Sequence, residues 1–193
     1  LDIAGKPLVQ HVYEMTTKTK ATQVIIATDD ARIGSAAKGF GADVCVTSNK
    51  HRSGTERIAE VISQRSIPDD AIIINVQGDE PLLPPSLVDQ VADDLAKHTD
   101  AGVATLCTSI DDVEEIFNPN VCKLVMDYKG YALYFSRAPI PWDRQSFSHT
   151  RAQLQDAVSP DTYYRHIGLY AYRANFVNTY VNWPVSPLEK IES

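Results

Sequence analysis

Long hydrophobic runs are missing from this chain. No apolar stretch approaches the roughly 18 residues of a membrane-spanning helix, so the reading is a soluble protein. Cysteine is scarce. The three present, Cys45, Cys107 and Cys122, are odd in number, far apart and each set in an apolar stretch, so buried free thiols and a cytosolic compartment are expected. The chain opens with Leu1 rather than Met, so the lack of a signal peptide carries no information. Positive charge is also short: 18 basic against 25 acidic residues leave a formal charge of -7, with no basic tract. That argues against a general surface for nucleic acid or anionic membrane. A phosphate-bearing ligand would need a bound cation or a few well-placed Arg and Lys side chains to offset the overall field.

What is present is the composition of a globular domain, 44% hydrophobic and 22% charged. At roughly 150 residues per domain, 193 residues make a single domain over 1–193 with room for a flap. Leu8, Val9, Val12 and Met15 have helical spacing, with Pro7 at the expected first position. Gln23 to Ala27 reads as a strand, followed by a helix capped near Asp30 that carries Ile33, Ala36, Ala37 and Phe40. Asp43 to Val46 is the next strand, and Ser53-Gly54-Thr55-Glu56 has the S-x-x-E form of a capping box before Ile58, Ala59, Val61 and Ile62. Ala71 to Val76, apolar at almost every residue, is the expected central strand, parallel and covered on both faces. Pro84-Pro85 opens a helix with Leu87, Val88, Val91 and Leu95 on one side.

This alternation predicts an α/β fold with a mostly parallel sheet and right-handed crossovers. From residue 102 the character changes. A strand over 102–108, a helix from Val113 to Phe117, and a hairpin pairing Val121–Asp127 with Tyr131–Phe135 make 102–172 a mixed or antiparallel subregion. Residues 139–160 read as a long loop or flap. A strand from His166 to Tyr172, a helix from Ala174 to Tyr180 and a helix start at Ser186-Pro187-Leu188-Glu189 complete the pattern.

Open α/β sheets bind ligands beyond the carboxyl ends of their strands, which puts Gln77-Gly78-Asp79-Glu80-Pro81 where a site belongs. Asp79 is the candidate metal ligand, because Mg²⁺ takes one or two carboxylates together with phosphate oxygens and waters. Asp79 and Glu80 would also serve as simple caps of the following helix. The segment Ser53 to Arg57 could offer amides and hydroxyls to a polar ligand at a helix N-terminus, or be an ordinary capping box. Arg137 and Arg144 flank the flap, while His166 and Tyr170, four apart on one strand, share a face. Guanidiniums suit a carboxylate, and His and Tyr suit hydroxyls; each of the four alone equally suits a surface or packing role. Other chemistries lack their signals. Gly39-Phe40-Gly41 has no third dinucleotide glycine, Phe40 stands where a P-loop needs Lys, the five histidines show no zinc pairing, and there is no G-x-S-x-G elbow.

The ordered segments Gly5-Lys6-Pro7, Ala27-Thr28-Asp29, Ser53-Gly54-Thr55-Glu56-Arg57, Asn75-Val76-Gln77-Gly78-Asp79-Glu80-Pro81, Phe117-Asn118-Pro119-Asn120, Tyr131 to Arg137, Ile140-Pro141-Trp142-Asp143-Arg144, Arg165 to Tyr170, Tyr180-Val181-Asn182-Trp183 and Ser186 to Glu189 run through almost the whole chain. In this order and spacing the chain resembles the 3-deoxy-manno-octulosonate cytidylyltransferases, the CMP-Kdo synthetases of lipopolysaccharide assembly. The resemblance implies a Rossmann-like nucleotidyltransferase sheet with helices on both faces, the substrates CTP and Kdo, Mg²⁺ as cofactor, and a homodimer. It implies that Asp79 holds the metal, that Ser53 and Gly54 lie against the cytosine with Arg57 supporting their loop, and that Gln77 lies near the reacting junction. It places Arg144, His166, Tyr170 and, more weakly, Arg137 at the sugar acid. The family's first strand with its triphosphate-clamping Arg and Lys, a second metal aspartate and a Glu-Gln sugar contact are expected outside residues 1–193. A related acid sugar, 8-amino-Kdo or sialic acid, and a non-catalytic nucleotide-binding role remain alternatives.

Overall fold

The computed structural model describes residues 1–144, 147 and 161–192. Most of the expected flap over 139–160 lies outside the described residues. The chain divides into two compact units, Leu1–Ala104 with Leu169–Trp183, and Thr105–Gly168 with Pro184–Ser193.

The first unit opens with a feature the apolar pattern does not announce. Strands β1 (Asp2–Ile3) and β2 (Lys6–Pro7) form a small antiparallel hairpin whose turn, Ala4-Gly5, has positive φ at both residues. Pro7 pairs with Asp2, so it caps α1 (Leu8–Thr16) in extended geometry instead of occupying the first helical position. Strands β3 (Ile25–Thr28) and β4 (Asp43–Val46) pair in parallel, Ile25 opposite Asp43, joined by α2 (Ala31–Gly39). Asp30 caps α2 by accepting from Arg32 N at 2.7 Å.

Helix α3 (Gly54–Arg65) begins at Ser53, whose Oγ accepts from Glu56 N at 3.2 Å. The capping box is half made, because the Glu56 carboxylate accepts the Arg52 backbone N–H at 2.8 Å instead of reaching Ser53 N. Strand β5 (Ile72–Asn75) is followed by α4 (Pro85–Lys97), which buries Val88, Val91 and Leu95 as expected. β5 runs antiparallel to the end of β9 (Tyr164–Arg173), from Ile72 opposite Arg173 to Asn75 opposite Tyr170. This corrects the reading of β5 as a parallel strand. An unbroken apolar run reports cover on both faces and says nothing about the direction of the neighbouring strand. The unit's core joins Ile62 of α3, Tyr172 of β9 and Ala174 and Val177 of α6 (Ala174–Tyr180).

β6 (Val103–Ser109) pairs with β9. In the second unit α5 (Val113–Phe117) leads to the antiparallel hairpin of β7 (Lys123–Met126) and β8 (Ala132–Ser136). Asp127 Oδ1 accepts from Lys129 N and Tyr131 N in the turn, and Gly130, at φ 86°, supplies the left-handed residue. Lys123 is fully buried, and its ammonium donates to the carbonyls of Asn118 (2.8 Å), Val121 (2.7 Å) and Arg137. Ile110, Ile116 and Tyr163 form the core beside Phe117 and Phe147. Helix α7 (Pro187–Glu192) starts at Ser186, whose Oγ accepts Glu189 N at 3.0 Å.

Candidate active site

Within the first unit a cavity of about 1400 Å³ is lined by β3, β5 and the segment that follows β5. Among the described residues β3 pairs only with β4, and β5 only with β9, so each strand has an unpaired edge. Gly54, Arg57, Asn75, Gln77, Gly78 and Asp79 all line this cavity. The structure thus brings together four of the residues singled out in the sequence, with Ser53 adjoining Gly54. Asp79 is exposed at its wall, and no described residue donates to it or pairs with it.

Arg57 is a strut. Its Nη2 lies 3.1 Å from Asp29 Oδ1 beyond β3, while Nη1 donates to Thr47 Oγ1 and, at 3.5 Å, to Ser48 O beyond β4. Its planar fork holds the ends of two neighbouring strands to α3. Asn75 is a residue to which sequence reasoning assigned no role. A Cβ added at Gly54 would come 3.4 Å from Asn75 Nδ2, and Asn75 sits opposite Tyr170 in the β5–β9 ladder. The available signal was its type, the one polar residue in the otherwise aliphatic run Ala71 to Val76. Tyr170 is half-buried and stacks on Tyr172 with ring centroids 5.7 Å apart.

The segment between β4 and α3 is tied down by carboxylates. Glu60 accepts from Ser48 N at 2.8 Å and contacts His51 Nε2, and Glu56 accepts from the backbone and guanidinium of Arg52. The His51 imidazole, then the Ser48 amide, hold the Glu60 carboxyl below its ordinary range; the Arg52 amide and guanidinium do the same for Glu56.

In the second unit His166 packs edge-on to Phe135, its Nε2 2.9 Å from Thr105 Oγ1. Burial pushes this imidazole below its usual value and so favours the neutral form. Arg137 donates through Nη1 to Pro119 O at 3.1 Å, and Arg144 is exposed after the cis Ile140–Pro141 bond. The three cysteines are free, Cys45 buried and Cys107 and Cys122 partly so. No helix among the described residues is long and apolar enough to cross a membrane.

Among the described residues no cluster of three or more His, Cys, Asp or Glu side chains could form a metal cage. The donors at the cavity are hard oxygens, led by the uncommitted Asp79 carboxylate. That suits Mg²⁺, whose remaining positions are ordinarily filled by substrate phosphates and water.

A strand–helix–strand unit with an open site beyond β5 defines the class: an α/β nucleotidyltransferase with a Rossmann-like fold. The model of the cytidylyltransferase family matches residues 1–193, and the chain belongs to that family. It is 56% identical over 191 residues to the 3-deoxy-manno-octulosonate cytidylyltransferase of Aliivibrio salmonicida, covering 99% of this chain and 74% of the relative. The Histophilus somni (strain 2336) enzyme of the same name is 53% identical over 192 residues, covering 99% and 75%. A solved CMP:2-keto-3-deoxy-manno-octonic acid synthetase complexed with CTP superimposes with a TM-score of 0.87 at 37% identity, covering all of this chain and 73% of that one. A Bacillus anthracis glucose-1-phosphate thymidylyltransferase structure, at 14% identity and TM-score 0.51 over 95% of this chain and 65% of its own, shares the fold alone.

Proposed function

We propose that the chain transfers CMP from CTP to 3-deoxy-D-manno-octulosonate, giving CMP-Kdo and pyrophosphate for lipopolysaccharide biosynthesis. The observation that carries this reading is the uncommitted Asp79 carboxylate at the cavity shared with Gly54, Arg57 and Gln77, in a chain 56% identical to enzymes of that name.

The anomeric hydroxyl of Kdo attacks the α-phosphorus of CTP. A new P–O bond forms, the bond to pyrophosphate breaks in line with it, and the hydroxyl proton passes to solvent water. Such a transfer depends on positioning and charge neutralisation, with no covalent intermediate. Mg²⁺, when bound, neutralises phosphate charge that a chain of formal charge -7 would otherwise repel. Asp79 holds that ion. Ser53 and Gly54 lie against the cytosine, with Arg57 fixing their loop, and Gln77 sits near the junction. Arg137, Arg144, His166 and Tyr170 bind the sugar acid, the guanidiniums at its carboxylate and His and Tyr at its hydroxyls. The subregion 102–172 carries sugar binding and dimer contacts in a cytoplasmic homodimer.

Pyrophosphate release by the full-length protein, dependent on CTP, Kdo and Mg²⁺ together, is the direct test. Absence of release with any divalent metal would remove the assignment, and faster turnover of 8-amino-Kdo or sialic acid would change the sugar while keeping the reaction.

A further inference from the structure

We propose that His51 and Glu60 are positioning residues for base recognition: they latch the segment 48–53 onto α3 and so fix Ser53 and Gly54 in place. The inference rests on the reading that Ser53 and Gly54 meet the cytosine.

This segment builds no ladder of its own. Its backbone donors go to side chains: Ser48 N to Glu60 at 2.8 Å, Lys50 N to Ser48 Oγ at 3.1 Å, and Arg52 N to Glu56 at 2.8 Å. Its shape is therefore dictated by α3, from which Glu56 and Glu60 project one turn apart on the same face. The His51 ring stands between them, with Nε2 on Glu60 Oε2 and Nδ1 4.0 Å from Glu56 Oε2. The other oxygen of Glu60 accepts Gln64 Nε2 at 2.7 Å, and the same amide reaches Val46 O at 3.1 Å, which anchors the carboxylate to the end of β4. His51, Glu56 and Glu60 expose only 19%, 22% and 25% of their side chains, so water competes poorly for these bonds. Charge-assisted bonds in a part-buried setting are stronger than neutral ones. Ser53 Oγ accepts from the Glu56 amide and keeps its proton for a ligand, while the latch fixes the segment that leads into Ser53 and Gly54 and so the direction in which they face.

The test compares His51→Ala, Glu60→Gln and His51→Gln in the full-length protein with the parent and with Asp93→Asn, a surface control. Steady-state kinetics with CTP, UTP and Kdo are paired with calorimetric CTP binding. His51→Ala and Glu60→Gln should each raise KM and Kd for CTP about tenfold, the scale of one charge-assisted bond. They should lower the preference for CTP over UTP and leave kcat and the KM for Kdo within about twofold. His51→Gln, whose amide can still donate to Glu60, should restore most of the affinity. Unchanged CTP affinity in both damaging variants would overturn the latch, as would equal losses in kcat and in the KM for Kdo. A parent that binds CTP without turning over Kdo would overturn the substrate assignment alone, because the binding comparison still reads the latch.

Discussion

The His166 ring nitrogen Nε2 lies 2.9 Å from Thr105 Oγ1, which also stands 3.1 Å from Ile167 O. Thr105 has one hydroxyl proton, so giving it to the carbonyl calls for an N–H at Nε2, and giving it to the ring makes Nε2 the acceptor. In the unfolded chain His166 takes up a proton as pH falls through its ordinary 6.5; in the folded protein burial delays that uptake to lower pH. Its contribution to stability is therefore present above 6.5 and is lost as pH falls through the folded value. His166→Asn should flatten the fall in melting temperature between neutral and mildly acidic pH, and thermal unfolding across that range checks it. Thr105→Val should cost about 1–2 kcal/mol by taking the hydroxyl partner from the ring nitrogen.

Asp79→Asn removes the charge without removing an existing partner. Turnover with Mg²⁺ should fall by about two orders of magnitude or more, the scale of losing a charge-stabilising group at a phosphoryl-transfer site. The melting temperature should stay within about a degree or two, since the side chain is exposed. Near-parental turnover would take Asp79 out of the metal role.

Gly102 is packed against an aromatic ring. A Cβ there would lie 2.3, 2.6 and 2.9 Å from three carbons of the Phe176 ring, so Gly102→Ala should destabilise by about 2–3 kcal/mol. Adding Phe176→Ala should recover part of the loss, giving non-additivity in a denaturant-melt double-mutant cycle. Strict additivity would place the strain elsewhere.

Lys123→Met should be among the most damaging single changes in the second unit. It leaves the carbonyls of Asn118, Val121 and Arg137 without their shared donor, a cost of about 3 kcal/mol or more in urea unfolding. Lys123→Arg should fail to restore stability, since a planar fork cannot replace three converging ammonium bonds.

Local pattern located the elements closely. Asp43–Val46, Val113–Phe117 and Ala174–Tyr180 end where the sequence places them, because each depends on short-range apolar spacing and neighbouring caps. The Ser53 cap was equally legible, but the second half of its box was not: Glu56 had a competing backbone donor in Arg52, which spacing alone does not reveal. Tertiary placement accounts for the rest. Lys123 lies inside the expected strand Val121–Asp127, and only the fold brings Arg137 O to join the nearby carbonyls of Asn118 and Val121 on its ammonium; Asn75 lies inside the expected strand Ala71–Val76, and only the fold brings Gly54 and Tyr170 to its sides.

By itself the sequence determined the alternation of strands and helices, the capped start of α3 and a carboxylate just beyond β5, since all of these follow from residues close together in the chain. Only the tertiary structure decided that β5 runs against β9, that Gly54, Arg57, Gln77 and Asp79 share one cavity, and that His51 stands between two carboxylates. Strand direction and side-chain convergence depend on contacts between segments far apart in sequence, and no local period encodes those.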